Sequence, residues 1–275
     1  MELIKTEYSQ DKGKGKLDKV LLNCTDANYY TLINFLYESD NKQAIILNAL
    51  YDNKINVVLK FGINSSIKKE YDVSLTLSNL PNFIKYFCVF ECNDDIKNII
   101  NNKETISQYK MCYYGANPVG ILVMKHYILG FVENYTWNQN NLEILKNVMM
   151  QVIFAIIYAY ETIGFIHGDL HLGNVLLKPK RNNIINYGTK ELNIAELEAV
   201  IMDFEKSKIN QRDKQIDMIR NIYKFITSIE NTCANNNLIV NIDKHKIISL
   251  KSSFAEGINY FNEIENVIRQ MYIYV

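Results

Sequence analysis

The chain has 275 residues and a mass of 32.0 kDa, which exceeds a small disulfide module and suits one large domain or two lobes. Hydrophobic residues make up 48% and charged residues 22% of the chain, which excludes a disordered or fibrous protein. Thirty basic side chains balance thirty acidic ones. Because no global positive field attracts a polyanion, we expect no nucleic-acid partner bound by bulk charge.

The cysteines and the apolar runs predict where in the cell the protein is located. The five cysteines include no Cys-x-x-Cys pair, so neither a disulfide framework nor a zinc ribbon is predicted. Cys88 and Cys92 could pair or bind a metal, but we interpret them as buried free thiols, which fits a reducing cytoplasmic compartment. The N-terminus has no apolar signal segment, and the longest apolar run, Val148 to Tyr160, is shorter than the ~20 residues that cross a bilayer. We therefore expect no membrane span.

The first elements along the chain are strands. Residues 1–43 form a polar, lysine-rich lead-in segment, with a short helix predicted from Tyr30 to Tyr37. Two apolar and β-branched runs, Ala44 to Leu50 and Ile55 to Phe61, flank a polar turn. This pattern predicts a β-hairpin.

A helix follows the hairpin. It is predicted to begin near Ser65 and to end at about Leu80, because Pro81 cannot continue it. Strands are predicted from Phe83 to Phe90 and from Gly120 to Ile128. The first half of the chain is therefore mainly β.

The second half of the chain changes character. From Leu142 to Tyr160, apolar residues recur at helical spacing on a stripe too broad for a surface helix, which predicts a buried helix. Two short strands, Asn174 to Leu177 and Ala199 to Met202, flank a polar insertion at residues 178–198, whose role the sequence does not indicate. From Asp213 onward the pattern is mostly helical.

The chemistry is concentrated in the stretch from His167 to Leu177, which reads HGDLHLGNVLL. On a loop after the buried helix, Asp169 can face a substrate hydroxyl while Asn174, five residues later, turns toward a metal. The second short strand delivers Asp203 to the same cleft, where its carboxylate can bind Mg²⁺. Loop capping explains many isolated Asp and Asn residues, but here the order and the flanking elements favour a site.

The set formed by His167, Asp169 and Asn174, followed by Asp203-Phe204-Glu205, resembles the catalytic loop and metal-binding element of the protein-kinase-like superfamily. The resemblance covers about residues 40 to 230. It implies an α+β, two-lobed fold with a mainly β N-lobe at 44–126, which holds one key helix, and a mainly α C-lobe at 127–275. The chain looks most like kinase-like proteins of large DNA viruses, which implies a host cytoplasm. Its catalytic loop is also similar to that of aminoglycoside phosphotransferases.

The resemblance extends to residues that would bind the nucleotide. Val57 to Lys60 resembles the strand that carries the phosphate-binding lysine, with Glu70 as its ion-pair partner at a spacing shorter than usual. Asp217 resembles the buried helix aspartate that holds the catalytic loop, and His167 is expected to support that loop. The residues implied to bind adenine at the hinge between the lobes are Met124, Lys125, His126 and Tyr127.

Several positions depart from the superfamily pattern. Gly168 stands in place of an arginine, which removes control through a phosphorylated activation loop. His171 stands in place of a lysine, so charge stabilisation in the transition state is weaker or comes from elsewhere. Glu205 replaces a glycine, the glycine-rich loop is missing before Ala44, and no Ala-Pro-Glu motif follows.

Taken together, the resemblance implies a phosphotransferase that uses ATP and Mg²⁺. Lys60 with Glu70 would orient the α- and β-phosphates, Asp169 would deprotonate the acceptor hydroxyl, and Asn174 and Asp203 would hold Mg²⁺. A serine/threonine protein kinase is the first interpretation. The catalytic loop and the short segment after Asp203 favour a small-molecule kinase as an alternative. The missing glycine loop prompts a second alternative, a catalytically weak pseudokinase scaffold.

Overall fold

The computed structural model describes residues 25–26, 29–38, 44–92, 113–114, 117–235, 239–243, 245–247 and 260–274. They form a mixed α+β protein, with an antiparallel sheet in the N-terminal region and longer helices later, as the sequence predicted. By their internal contacts they divide into two units, Met1–Asn64 with Tyr86–Lys125, and Ser65–Lys85 with His126–Val275. The division after Lys125 adjoins the predicted lobe limit, whereas residues 65–85 were predicted for the first lobe and belong to the second unit.

The first unit is built on one antiparallel sheet. Its strands are β1 (Tyr30–Glu38), β2 (Ile45–Tyr51), β3 (Ile55–Ile63), β4 (Tyr86–Glu91), β5 (Tyr113–Tyr114) and β6 (Asn117–Lys125). The order is β1-β2-β3-β6-β4, and β5 pairs with β6. Alternate side chains such as Leu47, Leu59 and Ile121 form the hydrophobic core on one face, because successive residues of a strand point to opposite faces. Lys60 therefore lies on the other face.

The predicted hairpin is formed by β2 and β3. Asp52 and Asn53 have φ angles of 49° and 52°, and the Lys54 N–H donates to the Tyr51 carbonyl at 3.1 Å. Two consecutive residues in the left-handed region give the turn type whose twist matches that of paired strands. Asp and Asn tolerate that region better than most residues, so this turn follows directly from the sequence.

The helix predicted from Tyr30 to Tyr37 is wrong, because these residues form strand β1. Tyr30 and Leu32 are buried while Thr31 and Ile33 are exposed, which is the period of a strand. The stretch is short and rich in aromatic and β-branched residues. The secondary structure of such a run depends on the strand beside it, which here is β2. The lysine-rich part of the lead-in segment lies outside the described residues.

The interpretation of Cys88 and Cys92 as free thiols is also wrong, because both are disulfide-bonded. Cys88 belongs to the sheet core of the first unit, and Cys92 packs against that core. Disulfides persist in oxidising compartments, so these two cysteines no longer support the cytoplasmic location, which stays a prediction. Cys233 is a free, buried thiol.

The helices are α1 (Asn64–Leu77), α2 (Leu142–Ile163), α3 (Gln215–Asn235) and α4 (Tyr260–Arg269). Helix α1 follows the prediction, and it ends at Leu77, before Pro81. Helix α2 is the predicted buried helix, and Gly164 closes it in the left-handed conformation at φ 66°.

Helix α2 also bears on the expectation of no membrane span. Together with the turn before it, Gln139–Ile163 is long and apolar enough to cross a membrane by length and composition, but most of its apolar window is buried inside the protein. A helix in the core of a folded protein has the same composition. Neighbouring strands and the helices α3 and α4 pack on α2. The apolar face is therefore covered by protein.

The insertion at residues 178–198 contains a hairpin. The remaining strands are β7 (Val175–Pro179), β8 (Ile184–Tyr187), β9 (Lys190–Asn193), β10 (Leu197–Ile201), β11 (Ile239–Asn241) and β12 (Tyr272–Tyr274). Strands β8 and β9 pair with each other, as do β7 with β10 and β11 with β12. The end of the chain is therefore less helical than predicted, since β11 and β12 form a two-stranded sheet there.

A buried polar network joins α2 to β10. The Gln151 side chain accepts the Ala199 N–H at 2.8 Å and donates to the Leu197 carbonyl at 2.8 Å. Asn82 donates to the Ala199 carbonyl at 2.8 Å, and the Tyr187 hydroxyl donates to Asn82. Because every member has partners, the network orders the strand instead of destabilising the core. It holds the hairpin and β10 against the buried helix.

We expect Gln151→Leu to lower the free energy of unfolding by about 3 kcal/mol, because it leaves buried main-chain groups of β10 without partners. Urea denaturation measures this loss. Met149→Leu on the same buried helix is the control, and it should cost less than about 1.5 kcal/mol since volume is conserved. Equal losses in the two variants would contradict a special role for the network.

We expect alkylation under denaturing, non-reducing conditions to label Cys233 and to leave Cys88 and Cys92 unlabelled, because only thiols react. Peptide mass spectrometry before and after reduction measures this. Both protected cysteines should become labelled once a reductant is added. Label on Cys88 or Cys92 before reduction would restore the interpretation as free thiols.

Candidate functional site

The loop between α2 and β7 is held in place by α3. The Gly168 N–H donates to the Asn221 side chain at 2.8 Å, and the Leu172 N–H donates to the Ser228 hydroxyl at 3.1 Å. Asn221 and Ser228 are seven residues apart, so two turns of α3 present them on one face. Main-chain groups of the loop that would otherwise lack partners are satisfied by this helix.

Asp217 does not hold this loop, contrary to the resemblance. Its carboxylate pairs with Arg220 at 3.0 Å, and its side chain is about half exposed. Asn221, one helical turn later, accepts the loop N–H and donates to the Asp217 carbonyl. The sequence pattern missed Asn221 because an amide oxygen accepts the same hydrogen bond that a carboxylate would.

His167 is fully buried and supports the loop, as expected. Its Nε2 lies 3.0 Å from the Met202 carbonyl, and its Nδ1 accepts the Asp169 N–H at 3.3 Å. These partners require the proton on Nε2. Burial lowers the pKa of His167 to about 4, although the bond to Met202 opposes this shift. The ring is therefore neutral at pH 7 and connects the loop to the end of β10.

The structure brings Asp169 and Asn174 together. The Asn174 Nδ2 donates to the Asp169 carbonyl at 2.8 Å, and the Asn174 carbonyl accepts the Met202 N–H at 3.0 Å. With its nitrogen used as a donor, the amide offers its Oδ1 to a further ligand. The loop and the residue before Asp203 are thus bonded directly to each other.

Asp203 follows β10 in a left-handed backbone conformation. Its φ is 66°, in a region that most non-glycine residues avoid and that Asp tolerates better than most. The next residue, Phe204, is fully buried, and its ring contacts those of Phe165 and His167 at 6.1 and 5.9 Å. The buried Phe204 side chain holds the turn at Asp203 in place. Backbone conformations of this kind occur often at functional sites.

Asn174 and Asp203 fit a Mg²⁺ ion by their chemistry. Both offer oxygen, the ligand that Mg²⁺ prefers, and Mg²⁺ is commonly bound through one or two carboxylates with substrate phosphates. Among the described residues, no group of three or more His, Cys, Asp or Glu side chains comes together to hold a metal. An ion bound here would therefore need phosphate oxygens or water to complete its coordination.

Lys206 is the residue that the sequence interpretation missed. Its Nζ lies 2.6 Å from Asp169 Oδ2. No motif spacing signals it, because its position depends on the path of the chain after Asp203. The only sequence signal is a lysine near Asp203 in a chain that has no lysine on the loop from Ile166 to Asn174.

Gly168 explains how Lys206 comes so close. Gly168 has a φ of 82°, and a Cβ added to it would lie 2.5 Å from the Lys206 carbonyl oxygen. Any side chain at this position would clash with backbone, so the arginine of the superfamily pattern cannot be accommodated. The local packing therefore requires glycine at position 168.

The nucleotide residues predicted in the first unit lie on β3 and β6. Lys60 pairs in register with Leu122, and Val58 with Met124, so Lys60 and Met124 share one face of the sheet. Both are buried, with Lys60 only 5% exposed. Lys125 ends β6.

The other predicted nucleotide residues belong to the second unit. Burial lowers the pKa of His126 and raises that of Tyr127 to about 12, so both are neutral at pH 7. Glu70 lies on the buried stripe of α1 and is 0% exposed. A carboxylate at this depth is almost always paired. Its predicted pairing with Lys60 stays a prediction.

We expect Asn221→Ala to lower the free energy of unfolding by about 1 to 2 kcal/mol, because the Gly168 N–H loses its partner. Asp217→Asn on the same helix is the control. Its ion pair is exposed, so the change should stay within about 0.5 kcal/mol. Urea denaturation of both variants measures the difference, and a larger loss for Asp217→Asn would return the role to the aspartate.

The site was also compared with known proteins at the level of sequence. A scan against models of protein families found no match to this chain. A search of curated proteins likewise found no match.

Proposed function

We propose that the chain is an ATP-dependent phosphotransferase with a two-lobed, protein-kinase-like fold. One observation carries the proposal: the Asn174 amide is bonded to the Asp169 carbonyl, and the Asn174 carbonyl to the residue before Asp203. A base, an amide oxygen and a carboxylate are thus grouped on rigidly bonded segments. Phosphoryl transfer needs this set, because its catalysis is mostly positioning and charge stabilisation.

Asp169 is proposed as the catalytic base. Its carboxylate is 35% exposed, so an acceptor hydroxyl can reach it, while its backbone is bonded on both sides by His167 and Asn174. A base on a fixed loop aligns the hydroxyl as well as accepting its proton. His167 is buried and neutral and is excluded from this role.

The nucleotide would be bound through phosphates and metal. Asn174 and Asp203 would hold Mg²⁺, which neutralises charge on the transferred phosphoryl group. The resemblance assigns the α- and β-phosphates to Lys60, with Glu70 as its partner. It assigns the adenine to Met124, Lys125, His126 and Tyr127.

The first candidate for the acceptor is a serine or threonine hydroxyl on a protein. The support for it is the resemblance to kinase-like proteins of large DNA viruses. On this proposal Asp169 accepts the proton of the protein hydroxyl as the phosphoryl group transfers.

A small-molecule acceptor is the second candidate, and one observation favours it. After Asp203 the chain runs directly along the end of α2, where the Gln211 N–H donates to the Gly164 carbonyl at 2.9 Å, and α3 begins at Gln215. The segment available to bind a peptide in an extended conformation is therefore short. A metabolite needs no such platform.

We expect Asp169→Asn to lower the rate of ADP release from Mg-ATP by about 100-fold or more, because the amide cannot accept a proton. Steady-state assays with a mixture of protein and small-molecule acceptors measure the rate. Asp217→Asn is the control, since it makes the same chemical change on an exposed helical surface and should leave turnover unchanged.

Intact-mass measurement of protein acceptors separates the candidates. Phosphate on protein with wild type, and none with Asp169→Asn, would support a protein kinase. Turnover that depends on Asp169 without phosphate on protein would favour a small-molecule kinase. Binding of Mg-ATP without any turnover across the acceptor panel would favour the pseudokinase scaffold and contradict the proposal.

A further inference from the structure

The pair formed by Lys206 and Asp169 is not explained by the roles assigned so far. The ammonium lies 2.6 Å from the carboxylate proposed as base, and the lysine side chain is 66% exposed. An exposed ion pair contributes little to stability, so a structural role is a weak explanation for it. A cation next to the proposed base would act directly on the reacting groups.

The catalytic loop has no other cation at this point. His171 stands where the superfamily pattern has a lysine, but its Nδ1 accepts the Gly173 N–H at 3.1 Å. An imidazole nitrogen that accepts a hydrogen bond uses its lone pair for that bond, so Nδ1 is not available to donate to a phosphate. His171 thus serves as the cap of the turn at Leu172–Asn174.

The backbone of Lys206 is fixed from several sides. Lys208 and Ile166 exchange two main-chain hydrogen bonds of 2.9 Å, and the Ser207 hydroxyl donates to the His167 carbonyl at 2.9 Å. On the other side, the Lys69 ammonium donates to the Glu205 carbonyl at 2.7 Å. Gly168 allows the contact with the Lys206 carbonyl itself. Only the lysine side chain is free to change its partner.

The Lys206 ammonium is surrounded by carboxylates, and it is the cation that an incoming phosphate needs among them. The hydrogen bond to Asp169 raises the pKa of Lys206, and the charges of Asp169, Asp203 and Glu205 act in the same direction. The side chain therefore stays protonated at neutral pH. A phosphoryl group that approaches Asp169 would meet carboxylates unless a cation were present, since like charges at close range repel.

Resting on the kinase activity proposed above, we propose that Lys206 binds the γ-phosphoryl group during transfer and takes the place of the lysine that His171 replaces. The ammonium moves from Asp169 Oδ2 to an oxygen of the phosphoryl group when nucleotide binds. This frees the carboxylate to accept the proton of the acceptor hydroxyl. Lys206 would thus be a catalytic residue carried by the segment after Asp203 instead of the loop.

The step balances without a further reactant. The acceptor oxygen forms a bond to the γ-phosphorus as the bond between that phosphorus and the β,γ-bridging oxygen breaks. The electron pair of the broken bond leaves with ADP, and the hydroxyl proton passes to Asp169. Lys206 remains protonated throughout and only stabilises the negative charge of the transferred group.

The test compares Lys206→Ala with Lys208→Ala, an exposed lysine two residues later on the same segment. We expect Lys206→Ala to lower kcat for ADP release by about 100-fold, and to raise KM for Mg-ATP by about tenfold because the contact with the γ-phosphate is lost. Lys206→Arg keeps the charge and should recover part of the loss. Lys208→Ala should match wild type in both constants.

A binding experiment gives a readout that does not depend on turnover. Lys206→Ala should weaken binding of the non-hydrolysable β,γ-imido analogue of ATP about tenfold and leave the Kd of Mg-ADP unchanged, because ADP has no γ-phosphate. Isothermal calorimetry measures both. Equal loss of affinity for the two nucleotides would mean that Lys206 only supports the fold, and would overturn the inference.

Two further outcomes would also overturn it. Turnover in Lys206→Ala that equals Lys208→Ala would show that the ammonium is not used, and faster turnover would show that the ion pair inhibits Asp169. Failure of the proposed function looks different. In that case wild type would neither bind the two nucleotides nor show turnover sensitive to Asp169→Asn, and the inference would fall with it.

Discussion

The close approach of two backbone segments at Gly168 is the constraint on which the site depends. A side chain at that position would clash with the Lys206 carbonyl, so glycine lets the segment after Asp203 lie directly on the loop between α2 and β7. The bridge between Ile166 and Lys208 then fixes the register of that contact. As a result, the direction of the chain after Asp203 is set by main-chain hydrogen bonds, which tolerate little displacement.

Polar groups buried in the apolar core also support the contact between the loop and the segment after Asp203. Gln151 lies among apolar residues on the buried part of α2, and its side chain forms hydrogen bonds with the main chain of β10. Burying an amide is costly unless its hydrogen bonds are made. Because they are all made here, other placements of β10 are disfavoured, and Asp203 leaves the strand at one defined point.

The cationic side chain beside Asp169 lies at a different position from the cations of the superfamily pattern. The loop has glycine and histidine where that pattern has arginine and lysine, and the cation near Asp169 belongs to the following segment. The glycine permits the contact that brings the lysine there. The glycine and the position of the lysine are therefore linked by one packing requirement, and the proposed chemistry keeps a base, two oxygen ligands and an ammonium.

Local pattern by itself determined much of this protein. The turn at Asp52 and Asn53, the buried helix and the order of Asp169, Asn174 and Asp203 all depend on spacing along the chain, which a sequence records directly. Tertiary structure decided the rest. Tyr30 became part of a strand because β2 lies beside it, and Asn221 holds the loop where Asp217 was expected because helical rotation brings it to the Gly168 N–H. Lys206 reaches Asp169 across 37 residues, and such contacts depend on how distant segments pack, which periodicity does not encode.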